Sequence, residues 1–201
     1  MSAYSVNIDA ETMARPLSPE KRNALLMSAT EAVAEQGVLA TTASIARGAG
    51  VAEGTLFTYF ESKEVLFQEV YLHLKRSLAE TVMPDYPDAA DYQQRMEHVF
   101  QRYVSWGLSN AAGRFAIARL SASGQLLDET RTQGMEAFLA VAQMMESGVR
   151  DGVLVDAPVS FLSSVIEHIA DTTIEYVNKH PEDAGRHREL GFRVLWRAIT
   201  Q

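Results

Sequence analysis

Apolar residues recur at steps of three and four along almost the whole chain, and alternating runs of β-branched residues are absent. That period predicts helices. Ser18-Pro19-Glu20 reads as a helix start, with a capping hydroxyl, a proline in the first turn and an acid near the positive end. Leu25, Ala29 and Val33 follow on one face, and Gly37 stops the helix. A short second helix begins at Thr41-Thr42, turns Ile45, Ala46 and Ala49 inward, and breaks at Gly50. A third runs from about Gly54 to Phe60. Ser62 caps a longer fourth, with Leu66, Val70, Leu74 and Leu78 at steps of four. Pro84 and Pro87 interrupt the pattern. Beyond them, helical periods cover roughly 89–108, 113–123, 128–150, 158–178 and 185–199. The expected fold is all-α, about nine helices: a three-helix amino-terminal headpiece and a larger carboxy-terminal helical bundle. Residues 1–17 show no period and are expected to form a flexible arm, 18–63 the headpiece and 64–201 the bundle.

Composition narrows the chemistry. The 201 residues include no cysteine, which removes disulfides, thiolate metal sites and cysteine nucleophiles together. No stretch approaches ~18 consecutive apolar residues, so no membrane span is expected. The first twenty residues carry Asp9 and Glu11 and lack an apolar core, unlike a secretory signal. A soluble, cytoplasmic protein is expected. No Gly-x-Ser-x-Gly, phosphate-binding loop or dinucleotide fingerprint is present, and no enzyme or cofactor is expected. The formal net charge of −8 argues mildly against a nucleic-acid partner. Arg15, Lys21, Arg22, Arg47 and Lys63 leave the amino-terminal third less acidic than the rest without making it basic.

Residues 41–63, TTASIARGAGVAEGTLFTYFESK, nonetheless have the form of a helix-turn-helix. Small residues are needed where two such helices cross, and Ala46, Ala49 and Gly50 supply them. Leu56 and Phe60 give the second helix one buried face, leaving Thr55, Thr58 and Tyr59 free to meet a ligand. Its first turn, Glu53-Gly54-Thr55, has open N–H groups suited to a phosphate. Taken alone, the pattern also fits a helix pair that never touches DNA.

The stretch resembles the DNA-binding headpiece of the TetR family of transcriptional regulators. The resemblance rests on Gly37, Thr41-Thr42, Ile45-Ala46, Ala49-Gly50-Val51, Gly54-Thr55-Leu56, Tyr59-Phe60 and Lys63-Glu64, about a quarter of the chain. It implies that Thr41, Thr42 and Lys63 meet phosphates. It implies that Glu53, Gly54, Thr55, Phe57, Thr58 and Tyr59 lie in or beside the major groove of double-stranded DNA. Phe57 departs from the family, where a tyrosine is usual. The missing hydroxyl predicts lower affinity unless Tyr59 replaces it, and the few cations predict a shallow salt dependence.

The resemblance also implies a homodimer formed by the last two long helices. Phe161, Val165, Ile169, Phe192, Leu195, Trp196 and Ile199 offer the apolar stripes, which could equally close the monomer's own core. Tyr103, Trp106, Phe115, Met135, Phe138, Met144 and Met145 could line a pocket for a small lipophilic effector, or be ordinary core. His168 and Asp171 would add polar groups to it. With Glu175 they could also form a solvated stripe or hold a metal, and no metal is expected. The expected function is a ligand-released repressor on a palindromic operator. An activator, or a ligand-binding helical module without DNA contact, remains open.

Overall fold

The structure, a computed structural model, describes residues 17–201. Of the expected arm, residues 1–16 lie outside the described residues. Helix α1 spans Pro19–Gln36, and the Ser18 hydroxyl accepts from the Lys21 N–H at 3.3 Å, as the sequence predicts. Helices α2 (Thr42–Gly48) and α3 (Glu53–Tyr59) follow, then the long α4 (Lys63–Val82), capped by Ser62. The remainder comprises α5 (Tyr92–Ser109), α6 (Ala111–Ala122), α7 (Asp128–Met135), α8 (Leu139–Arg150), α9 (Val159–Lys179) and α10 (Ala184–Ile199).

The stretch 128–150, continuous in the sequence pattern, is broken by one 3-10 turn at Glu136–Phe138. Hence ten α-helices stand among the described residues. Gly134 lets α7 lie against α4, since a Cβ there would come within 2.6 Å of the Tyr71 ring. The 3-10 turn then folds Phe138 inward. No helix of the described residues is long and apolar enough to cross a membrane.

The core falls into three apolar clusters. The first joins Leu25, Leu26 and Ile45 to Leu56 and Phe60 of the headpiece, and continues through Leu66, Phe67 and Val70 of α4 to Ala116 and Leu120 of α6. The headpiece therefore does not close a core by itself: the 63/64 division falls at the start of α4, and the cluster runs across it. The second cluster holds α5, α8, α9 and α10 together around Phe100, Met144, Leu162, Ile174 and Leu195. The third, around Leu78, Val82, Trp106 and Phe138, lies between them. Each fully buried Leu or Phe contributes roughly 1.5–3 kcal/mol, so these shared residues bind the elements together strongly.

Candidate functional site

The turn between α2 and α3 depends on Gly50, whose φ of +69° is unfavourable for a side chain. Its N–H donates to Arg47 O and that of Val51 to Ala46 O, closing α2 in a Schellman turn. Chain direction then reverses sharply, and α3 packs Leu56 on the core with no exposed surface. Phe60, which caps α3, is buried beside it. Everything else on α3 faces outward or sideways. Glu53, Gly54, Phe57 and Thr58 are exposed, Thr55 and Tyr59 half-buried. Among the described residues, nothing beyond its chain neighbours and its own helix backbone lies within 4 Å of the position a Cβ at Gly54 would take. Ala52 caps α3 without a side-chain hydrogen bond.

The neighbouring polar groups are partly engaged. Thr41 caps α2, its hydroxyl accepting from Ser44 N–H at 3.1 Å. Thr42 donates its hydroxyl to Glu53 Oε1 at 2.5 Å, tying the starts of α2 and α3 together. Thr58 donates to Gly54 O within its own helix. Two residues predicted to be free have structural work. The Tyr59 hydroxyl accepts from the Ser18 N–H at 3.0 Å, bracing the start of α1. Lys63 Nζ donates to Val38 O at 2.8 Å and stands over the Phe67 ring. Tyr59 is thus held sideways and not projected like Phe57, because its ring packs against the first cluster. Both polar tips keep hydrogens to donate: one on the phenol, two on the ammonium.

The apolar stripes of α9 and α10 divide differently from the sequence expectation. Phe192, Leu195 and Ile199 are buried in the chain's own second cluster, and Trp196 stacks on Phe192 at 6.3 Å. They close the monomer. Val165 and Ile169 are half-buried at the edge of that cluster, and Phe161 is 59% exposed. The outward apolar surface of α10 is instead Leu190 and Val194. At ~100° per residue these fall on the side opposite Phe192 and Leu195. With Ile169, Tyr176 and His187 they line a shallow groove of about 290 Å³ between α9 and α10. Spacing does not single out Leu190 and Val194, because α10 carries two apolar faces and the longer one is the core stripe, and Tyr176 of α9 joins them only through the packing of the two helices. The helices meet closely at Gly191, where a Cβ would lie 2.1 Å from the Thr173 hydroxyl oxygen.

A cavity of about 560 Å³ lies among α4, α6 and α9. It brings together four of the predicted pocket residues, Tyr103, Met135, His168 and Asp171. Phe138 and Met145 line a smaller hollow that shares Lys75, Tyr103 and Met135 with it. Three expectations fail. Trp106 is 2% exposed in the third cluster, donating its indole N–H to Ser77 Oγ at 3.1 Å. Met144 is 1% exposed in the second cluster. Phe115 points outward beneath the Arg114 guanidinium. Aromatic or Met at helical spacing marks core and cavity alike, so sequence could not sort them.

The cavity is also more polar than the lipophilic box the sequence suggested. Lys75 of α4, Arg114 of α6 and Glu167 of α9 face it, with Tyr71 and Ser121. Arg114 Nη1 lies 3.0 Å from Asp171 Oδ1, an off-axis ion pair in which neither Arg114 Nε nor that oxygen forms a hydrogen bond. Burial lowers the Lys75 pKa, opposed by the Glu167 charge. Burial raises Glu167, opposed by Lys75. Burial and the neighbouring Asp171 carboxylate push the Tyr103 phenol up, and burial raises Tyr71. A lysine interrupting the Tyr71–Leu78 stripe of α4 was the legible signal for this site.

The model of the bacterial regulatory proteins of the tetR family matches residues 25–70, which take in α2, α3 and the turn between them. Among solved structures, a tetR-family transcription regulator from Shewanella sp. PV-4 is 27% identical, with TM-score 0.77, covering 90% of this chain and 98% of that one. One from Marinobacter aquaeolei VT8 is 20% identical, TM-score 0.80, covering 90% and 96%. The Bacillus subtilis regulator FadR, solved with stearoyl-CoA, is 19% identical, TM-score 0.62, covering 86% and 96%.

Proposed function

We propose that this chain, a TetR-family transcription regulator, is a cytoplasmic, ligand-released repressor that binds a palindromic operator as a homodimer. The observation that carries this reading is the outward face of α3: Gly54, Phe57 and Thr58 are exposed, with half-buried Thr55 beside them, on a short helix braced by Thr42–Glu53. One such helix reads few bases. Two held ~34–36 Å apart by a symmetric pair of subunits would meet successive major grooves. The dimer contact uses Phe161, Val165 and Ile169, extended by Tyr176, Leu190 and Val194. By role, residues 18–63 bind DNA while 64–201 dimerise and bind effector.

Ligand in the cavity acts through two levers. Tyr71, Lys75 and Leu78 line it from α4, whose first residue is Lys63 beside the DNA face. Ile117 and Ser121 line it from α6, which packs along α1. A bound molecule that tilts either helix changes the separation of the two α3 helices. A hundredfold release from DNA needs ~2.7 kcal/mol of preference for the released spacing.

The test is selection of bound fragments from genomic DNA, followed by titration on the selected operator. Thr55→Val, which keeps shape and removes the hydroxyl, is expected to lower operator affinity by about tenfold and relax preference at one position of each half-site. Lys63→Gln is expected to weaken all sequences alike and reduce the salt slope by about 1 per subunit. Unchanged affinity in both variants would remove Thr55 and Lys63 from the DNA interface, and the absence of any selected sequence would leave a helical ligand-binding module without DNA contact. Transcription that rises on binding in a reporter assay would identify an activator.

A further inference from the structure

Lys75 is 91% removed from solvent by its surroundings, being 9% exposed, yet among the described residues its ammonium has no ion-pair or hydrogen-bond partner. Its one polar-type contact is the face of Phe138, with Nζ 4.7 Å from the ring centroid. A buried charge without a counter-ion is costly, and a protein usually neutralises or pairs it. Lys75 lines the 560 Å³ cavity and the hollow beside it. It also borders an outer depression formed by Gln133, Gly134 and Glu136, so it can be approached from outside beside the 3-10 break.

We propose that the cavity takes an amphipathic organic monocarboxylate, with its acid group on Lys75 Nζ and its apolar body against Leu78, Ile117 and Met135. The claim rests on the reading of this cavity as the effector site. Charge balance selects a single negative charge. The charge of Arg114 is offset by Asp171 at 3.0 Å, leaving Lys75, among the described residues that line the cavity, without a carboxylate paired to it. A dianion would meet the Glu167 and Asp171 carboxylates across the same cavity. Both Tyr71 and Tyr103 keep their phenolic protons, so Lys75 stands beside groups able to donate. A donor-rich wall suits an acceptor-only carboxylate better than an amine. The volume lies within the ~300–1,000 Å³ usual for small-molecule sites.

Calorimetric titration of the full-length protein tests this with three matched sets built on 4-phenylbenzoate and decanoate: the acids, their primary amides and the corresponding amines. The acids are expected to bind at least tenfold more tightly than the amides, and the amines not measurably. Lys75→Met is expected to fold at least as stably, since it removes a desolvated charge, and to lose the acid-over-amide preference. Lys75→Arg is expected to keep it. Amides or amines that bind the wild type as well as the acids overturn the proposal, as does the absence of binding by any acid, or a preference that survives in Lys75→Met. Operator release is measured separately. Acids that bind through Lys75 without releasing DNA leave this inference standing and sink the repressor reading. Release by an amine or a neutral compound does the reverse.

Discussion

Replacing Leu190 and Val194 together with glutamate is expected to leave a monomer at micromolar concentration in place of the proposed dimer, and to lower operator affinity by at least ~100-fold. Both side chains are largely exposed on α10, at 43% and 49%, while belonging to no core cluster of the chain. The substitutions therefore disturb little inside the subunit. In an assembled pair they would place four carboxylates in a largely apolar groove, where desolvation and mutual repulsion oppose association. The loss on DNA follows from linkage. Once one half-site is bound, the second contact is intramolecular, and such coupling is worth ~10²–10⁴ in affinity. Light scattering reads the mass and a mobility-shift titration reads the affinity. A dimeric mass in the double variant would place the interface elsewhere. The same substitution at Leu195 would unfold the subunit instead, because that residue has no exposed surface.

Phe67→Ala is expected to cost about 3–5 kcal/mol, the range for removing a buried aromatic ring. For a chain of this size that is a fall in melting temperature on the order of 10 °C. Phe67 has no exposed surface and sits where the headpiece, α4 and α6 share one cluster. It also supports the Lys63 ammonium on its ring face. The expected consequence is loss of headpiece order together with bundle stability, in one transition followed by circular dichroism and by operator binding. A shift below ~1 kcal/mol would mean that the cavity left behind collapses freely. Two separate transitions would mean that headpiece and bundle fold independently, contrary to the core they share.

Helix-forming segments and their limits were written locally. Ser18, Thr41 and Ser62 each cap the helix that the sequence assigns to them, because a capping hydroxyl acts on backbone only two or three residues away. Gly50 and Leu56 were equally legible, one as a turn requirement and the other as the single inward position of a short helix. The 3-10 break was not, since the period continues through 128–150 and only the approach of Gly134 to Tyr71 shows where α7 must yield to α4.

Spacing alone settled that this chain is helical, where its short probe of a helix lies, and which residues that probe cannot bury. It could not settle which of several apolar faces meets which neighbour. Phe192 and Leu190 are both apolar on α10, yet one is buried in the subunit and the other left outside, because a helix acquires an inside only when its neighbours are packed around it. Nor could it bring Lys75, Arg114 and Glu167 to one cavity, for they come from three helices far apart in sequence and meet only through tertiary packing. Local backbone physics is encoded within a few residues. The pairing of faces and the enclosure of charge are properties of the assembled whole.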